Sequence, residues 1–335
     1  MVFAITGATG FIGVHIIHHL LSNEHQVKAI KRHTSSLSEF ELIKNSKIYN
    51  CDYAKLNWID CELDDVLALE DTFAEVDCVI HTAGVISYLK KDLEKLLLVN
   101  KIYTAYVVNA CLAAGNKKLI YISSIAAITK TGLGEEVFED VEWDSKVSHS
   151  NYGLSKYLGE CEVWRGGEEG LPISVINPGV VLGYGDWNKG SNKLFLNAYK
   201  EFSFYSNGAT GFVGVGDIAR ICLQLAELEI KNERYLAVSE NLSYKEVASL
   251  MAKNLDKKPP AIEVAGMLYN LSYLFVTIKE LLGLGGLLSK ETVKASVAKS
   301  YFSNSKIRNA LNFFFTPMSV VIKNATVEYK KSPPK

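Results

Sequence analysis

The sequence predicts an α/β protein: a doubly wound parallel sheet joined to a smaller, mostly helical C-terminal lobe. Two observations lead to this. Through the first half, short β-rich runs alternate with longer helical-period segments, and most of the runs are apolar on both faces, as strands of a sheet covered on each side are. A glycine-punctuated turn also stands directly between the first run and the first helical segment. With 335 residues, the chain is long enough for one large domain or for a main domain plus a lobe.

Taken in order, the expected strands are Val2–Thr6, Gln26–Ile30, Lys47–Asn50, Cys78–Thr82, Lys118–Ser123 and Ile173–Asn177. Helical segments are expected at Phe11–Leu21, Leu93–Ala113 and Tyr152–Arg165. Right-handed crossovers between parallel strands then place ligands at the carboxyl ends of the strands. After Gly179 the pattern loosens to a helix near Asp217–Leu228, a strand near Arg234–Val238 and a helix near Tyr244–Asn254. Residues 1–178 are therefore read as one nucleotide-binding domain. Residues 179–330 are read as a substrate lobe with segments returning to the main sheet, and the tail 330–335 as frayed.

Composition removes several function classes. The formal net charge of −1 leaves no electrostatic footprint for nucleic acid or anionic lipid, so no nucleic-acid partner is expected. Six scattered cysteines without a C-x-x-C pair read as reduced, mostly buried thiols of a cytoplasmic protein. The first apolar run passes straight into the glycine turn, which leaves no space for a signal peptide. Within the apolar stretch Val264 to Leu288, the longest uncharged run, Ala265 to Ile278, is shorter than the roughly 20 residues a bilayer requires. A lid or subdomain helix, and no transmembrane segment, is the expectation there.

The turn reads Thr6-Gly-Ala-Thr-Gly-Phe-Ile-Gly13. Gly7 permits a tight turn, Gly10 admits a pyrophosphate close to the backbone, and Gly13 lets helix and strand pack closely. The helix N-terminus offers free N–H groups to the phosphates. This is a Rossmann-type dinucleotide site, with Thr9, Phe11 and Ile12 beside the three glycines. Strand two is followed by Lys31-Arg32-His33-Thr34-Ser35-Ser36, without an acid. A carboxylate there would repel a ribose 2′-phosphate, whereas Arg32 can grip one. NADP(H) is thus preferred, with NAD(H) as the alternative. His15, His18 and His19 share a helix face but have no acid or Cys near them in the pattern, so they read as a surface face and no metal is expected.

Tyr152-Gly-Leu-Ser-Lys156 opens a helical segment, which sets Tyr152 and Lys156 one turn apart on one face. Strand five ends upstream in Tyr121-Ile-Ser-Ser124. A carbonyl that accepts hydride needs a proton donor, and free tyrosine, near pKa 10, is too weak an acid. A neighbouring Lys156 ammonium would stabilise the phenolate and lower that value. Ser124 can hydrogen-bond the carbonyl oxygen.

These motifs resemble the extended short-chain dehydrogenases/reductases of the NAD-dependent epimerase/dehydratase superfamily, over nearly the whole chain. Thr6–Gly13 resembles the family's TGxxGFIG turn and His81-Thr-Ala-Gly84 its loop beneath the cofactor. Val99-Asn100 resembles the helix asparagine, and Ser124, Tyr152 and Lys156 match the catalytic trio. The resemblance implies cofactor contacts from Thr82, Ala83, Gly84, Tyr152 and Lys156, from Asp52 and Tyr53 near adenine, and from Pro178 and Val181 in Asn177-Pro-Gly-Val-Val-Leu-Gly183 beside nicotinamide. It also implies that Lys156 holds ribose hydroxyls and that Asn100 completes a proton relay through water. Val215-Gly-Asp217 resembles a downstream landmark. A homodimer through helix faces is the family's common assembly, and nothing in the residues demands one.

Within the superfamily, 4,6-dehydratases carry Thr-Asp-Glu after strand five, where this chain has Ser124-Ile125-Ala126. Epimerases often show Ser-Ala-Thr-Val-Tyr-Gly there and Arg-Pro before the nicotinamide loop. Here Asn177-Pro178 with Val-Val-Leu-Gly is closer to the dihydroflavonol-4-reductase-like branch. The expected function is NADPH-dependent reduction of a ketone or aldehyde on a small to medium, fairly apolar substrate. The alternatives are a nucleotide-sugar epimerase with tightly held NAD and a non-catalytic NADP-sensing protein.

Overall fold

The computed structural model describes residues 1–130, 134–265, 293 and 296–334. Among them, seven parallel strands form the main sheet: β1 Val2–Thr6, β2 Gln26–Lys31, β3 Leu56–Asp60, β4 Cys78–His81, β5 Lys118–Ile122, β7 Ile173–Pro178 and β11 Glu233–Ala237, in the order β11-β7-β5-β4-β1-β2-β3. The order reverses direction between β1 and β4, and the carboxyl ends of those two strands open the crevice where such sheets bind ligands. β4 and β7 are buried along their whole length, the mark of a strand covered on both faces.

One face is covered by α1 (Phe11–Ser22), with α2 (Ser38–Ser46) and the later α8 (Val215–Glu227) packed on it. The other carries α3 (Val66–Ala74), α4 (Leu93–Leu97), a π-turn (Leu98–Ile102), α5 (Tyr103–Ala113) and α6 (Asn151–Glu168). The stretch Lys90–Ala113 is long and apolar enough to cross a membrane by length and composition. Here it lies on the sheet, with Leu96, Val107, Val108, Ala110 and Cys111 buried in the core.

The remaining elements build the lobe and stitch it to the sheet. Two-residue strands β6 (Glu136–Val137) and β14 (Tyr301–Phe302) pair with each other, as do β9 (Phe204–Tyr205) and β13 (Ile262–Glu263). β8 (Val180–Leu182), β10 (Ala209–Gly214) and β12 (Glu240–Ser243) make a small mixed sheet. Helices α7 (Lys193–Tyr199) and α9 (Tyr244–Asn254) pack beside the C-terminal helix Met318–Lys331. One hydrophobic cluster runs from Phe3 and Val14 to Ile218, Met251 and Tyr329, so both halves of the chain share a core. From residue 266 on, the apolar segment expected to form a lid lies outside the described residues.

Two expectations are corrected. Lys47–Asn50 is not a strand: Lys47 caps α2 in the left-handed conformation (φ 59°), and the third strand is β3, which pairs Leu56 with Val27. The His15–His18 face is not a surface. α2, α8 and the chain at Tyr184 cover it, leaving His15 2% and His18 0% exposed. His15 Nε2 lies 2.9 Å from the Tyr184 carbonyl and Nδ1 3.0 Å from the Tyr49 hydroxyl, while burial pulls the ring's pKa down to about 4. These are neutral core histidines, and among the described residues no cluster of His, Cys, Asp and Glu could hold a metal.

Candidate active site

β1 delivers the chain into the glycine turn at the crevice. Gly7 has φ +69°, a left-handed conformation that L side chains rarely adopt, and a Cβ on it would lie 2.5 Å from the Ala83 backbone nitrogen. A Cβ on Gly13 would lie 2.4 Å from the Gly7 carbonyl oxygen. The two glycines thus bring the turn, α1 and the loop after β4 into direct backbone contact. Thr82 fastens that loop by donating its hydroxyl to the Thr6 carbonyl at 2.8 Å. Gly10 N-caps α1 with no side-chain cap, and the first turn contains no acid. The first N–H groups of the helix are therefore open toward the crevice, where a phosphate fits their dipole. Thr9, Phe11 and Ile12 are half-buried around this turn, and the residues present fit a dinucleotide.

The catalytic candidates come from two elements on the other side of the crevice. β5 ends at Ile122, and Ser124 follows as the N-cap of a short helical turn, its Oγ accepting from the Ala126 nitrogen at 3.1 Å. α6 starts behind a Ser150 cap and presents Tyr152, 8% exposed, and Lys156, 4% exposed. Ser124 and Tyr152 lie side by side, near enough for the Ser124 hydroxyl to act on the phenol. Ser123 is separate: it donates to Glu160, away from Tyr152. The structure thereby distinguishes the two serines that the sequence left side by side.

The electrostatics differ from the expectation that Lys156 lowers the phenol's pKa. Burial raises the Tyr152 pKa, the nearby Tyr88 adds to the rise, and the Ser124 hydroxyl only partly opposes it. The Lys156 ammonium is directed elsewhere. Its Nζ donates to the Ile122 carbonyl at 2.8 Å and sits 4.3 Å from the centre of the Tyr121 ring. Burial draws Lys156 itself down to about 7, against the pull of Glu160.

Asn100, expected to complete a proton relay through water, makes direct side-chain contacts on two elements. It lies in the π-turn and is fully buried. Its Oδ1 accepts from the Val85 nitrogen at 2.8 Å, and its Nδ2 donates to the Val85 carbonyl and to Ser155 Oγ, each at 2.9 Å. With its amide committed on both sides, it clamps the loop after β4 to α6.

Among the remaining cofactor candidates, Ala83 and Gly84 follow β4 at the crevice, and a Cβ on Gly84 would lie 3.8 Å from Lys156 Nζ. Pro178 ends β7 and Val181 lies in β8, both largely buried. Arg32 stands exposed just past β2, whereas Lys31 beside it is paired with Asp60 across β2 and β3. Asp52 and Tyr53 are displaced, because β3 starts after them. They lie at the amino end of the sheet, where Asp52 caps the Ala54 nitrogen at 3.1 Å and Tyr53 packs on His18 and Phe40. Asp60, Cys61 and Glu62 occupy the carboxyl end of β3 instead, and the alternation in Leu56-Asn-Trp-Ile-Asp60 is the signal that could have found them. Tyr88, 5.9 Å from the Tyr152 ring, carried no pattern in the sequence.

Comparison with known proteins agrees with this geometry. The model of the NAD dependent epimerase/dehydratase family matches residues 3–237. A candidate dihydroflavonol 4-reductase from Synechocystis sp. is 25% identical over 312 residues, covering 91% of this chain and 87% of that protein. Anthocyanidin reductase from Arabidopsis thaliana is 26% identical, covering 76% and 80%. Among solved structures, gox2253 superposes with a TM-score of 0.82 at 24% identity, over 99% of this chain and 98% of the other. A nucleoside-diphosphate-sugar epimerase from Pseudomonas aeruginosa superposes at 0.77 with 21% identity, over 99% and 98%; at these identities the structural likeness speaks for the fold alone. The chain belongs to the NAD dependent epimerase/dehydratase family and is an NAD(P)-dependent oxidoreductase of the extended short-chain dehydrogenase/reductase type, similar to the dihydroflavonol-4-reductase-like branch.

Proposed function

We propose that this protein reduces a ketone or aldehyde on a small to medium, fairly apolar substrate, with NADPH as the preferred cofactor. The observation that carries the reading is the meeting of Ser124 and Tyr152 across the crevice from the glycine turn, with Ile125 and Ala126 following Ser124 where water elimination would need acids. The bound cofactor would supply the hydride for the carbonyl carbon. Tyr152, whose burial keeps its proton on at neutral pH, donates that proton to the carbonyl oxygen as negative charge grows there. Ser124 aims a second hydrogen bond at the same oxygen. Relatives named as reductases support reduction as the net reaction. The deciding assay is NADPH oxidation across a panel of ketones and aldehydes. Copurified NAD with stabilisation by nucleotide sugars and no net redox would point to epimerisation instead. Cofactor bound with no turnover of any kind would leave a sensing role.

The preference for NADPH rests on Arg32, which stands exposed just past β2 and whose guanidinium makes no hydrogen bond or ion pair among the described residues, its carbonyl alone accepting from the Ser35 nitrogen. Arg32→Ala removes one charged contact to the 2′-phosphate, worth about 1.5–3 kcal/mol. The expected result is a KM for NADPH raised about 10- to 100-fold with the KM for NADH nearly unchanged. Equal effects on both cofactors would sink the assignment.

A further inference from the structure

One buried acid has no place in the chemistry so far. Glu160 is 1% exposed and lies one turn beyond Lys156 on α6. Donors from three strands or their ends meet its carboxylate. Ser123, just past β5, and Asn177 on β7 both reach Oε1, the latter at 2.5 Å, while Arg234 on β11 reaches Oε2 at 2.6 Å. Arg234 is held in turn by the Glu139 carbonyl at 3.2 Å and faces the Trp164 ring. Fastening α6 to three strands does not require a charge; neutral side chains of the same shape would do it without the desolvation cost of an ion pair.

The surroundings of Lys156 supply the reason for a charge. From β4 it faces His81, from β5 the Tyr121 ring and the Ile122 carbonyl, and from its own helix Glu160. Of these only Glu160 is an anion acting on the ammonium, and His81 is pushed down to about 3 by burial and by Lys156. Around Glu160 itself stand Ser123, Asn177, Arg234, Tyr121, Tyr157 and Cys161. Arg234 is the one cation in direct contact with it among the described residues.

We propose that Glu160 is a positioning residue whose charge keeps a proton on Lys156, and that Arg234, from the far edge of the sheet, sets how much of that charge Lys156 experiences. This rests on the reading of Tyr152 and Lys156 as the proton donor and its neighbour, and it places control of the active-site lysine in a salt bridge outside the crevice. Two substitutions separate it from a purely mechanical role because their signs oppose. Glu160→Gln keeps an acceptor oxygen for Ser123 and Asn177 but removes the anion, so Lys156 should lose its proton at a pH lower by about half to one unit. Arg234→Leu leaves the anion and removes the cation that offsets it, so the midpoint should rise by a similar amount.

The measurement is a pH titration of the full chain labelled with ε-¹³C lysine, with the Lys156 signal assigned by its absence in Lys156→Met. A fall in Glu160→Gln and a rise in Arg234→Leu are expected. Unchanged midpoints, or two shifts of the same sign, would overturn the proposal. Should either variant fail to fold, the sign of the shift in the other decides. No substrate is needed, so failure of carbonyl turnover in the separate assay would sink the functional reading and leave this result standing.

Discussion

Replacing Tyr152 by Phe is expected to lower kcat by about 10²- to 10⁴-fold, the range over which a positioned general acid contributes. The substitution removes one oxygen. The ring keeps its contact with Tyr88 and its buried seat at the start of α6, so fold and cofactor affinity should be nearly unchanged. Because kcat and kcat/KM both depend on the proton transfer, they should fall together, as expected for an interaction made in the transition state. Steady-state rates with the best carbonyl substrate, set beside the dissociation constant for NADPH from fluorescence titration, give both halves of this result. Turnover within twofold of the parent enzyme would remove Tyr152 from the chemistry.

Gly13→Ala should be nearly as damaging, by another route. The new methyl would be placed 2.4 Å from the Gly7 carbonyl and 3.0 Å from the Thr82 hydroxyl, and the nearer atom is backbone that cannot rotate away. Relief requires α1 to lift off the turn, a strain of about 1–3 kcal/mol for overpacking a tight contact. That movement would also withdraw the N–H groups at the start of α1 from the phosphate. A melting temperature lowered by several degrees, together with loss of measurable NADPH binding, is the expected outcome; tight binding with unchanged stability would show that the turn tolerates the methyl. Gly10→Ala is a useful contrast, because a Cβ there meets only the Gly7 carbonyl, at 3.3 Å.

The parts of this molecule that could be read from the sequence are those specified over short distances. β1, the glycine turn and α1 form one local unit, and β4, β5 and β7 are apolar on both faces, so period and composition alone disclose them. Tyr152 and Lys156 are a helical turn apart, and that spacing survives any error in the rest of the fold. What failed depended on cover supplied from far along the chain. β3 is only half-buried and follows a charge-rich helix, so its pattern is faint, and the early placement of that strand displaced Asp52 and Tyr53 to the wrong end of the sheet. His15 and His18 look like a polar face until α8 and Tyr184, some 170 positions later, close over them. The direction of the Tyr152 shift was missed for a related reason: spacing announces a neighbouring lysine, but burial depends on everything packed around it.

The position of β11 affects how the protein is made as well as how it stands. Its residues Glu233–Ala237 close the sheet against β7, pairing Glu233 with Ser174 through to Ala237 with Pro178. Until they leave the ribosome, β7 is an open edge whose side chains are all destined for the interior. At about 5–20 residues per second, that interval lasts on the order of 3–12 seconds for each chain synthesised. During it, a neighbouring nascent chain with the same open edge is a competing partner. The protein's yield in a cell should therefore depend on the rate of elongation through residues 179–237 and on the chaperones waiting there, more than on the stability of the finished enzyme.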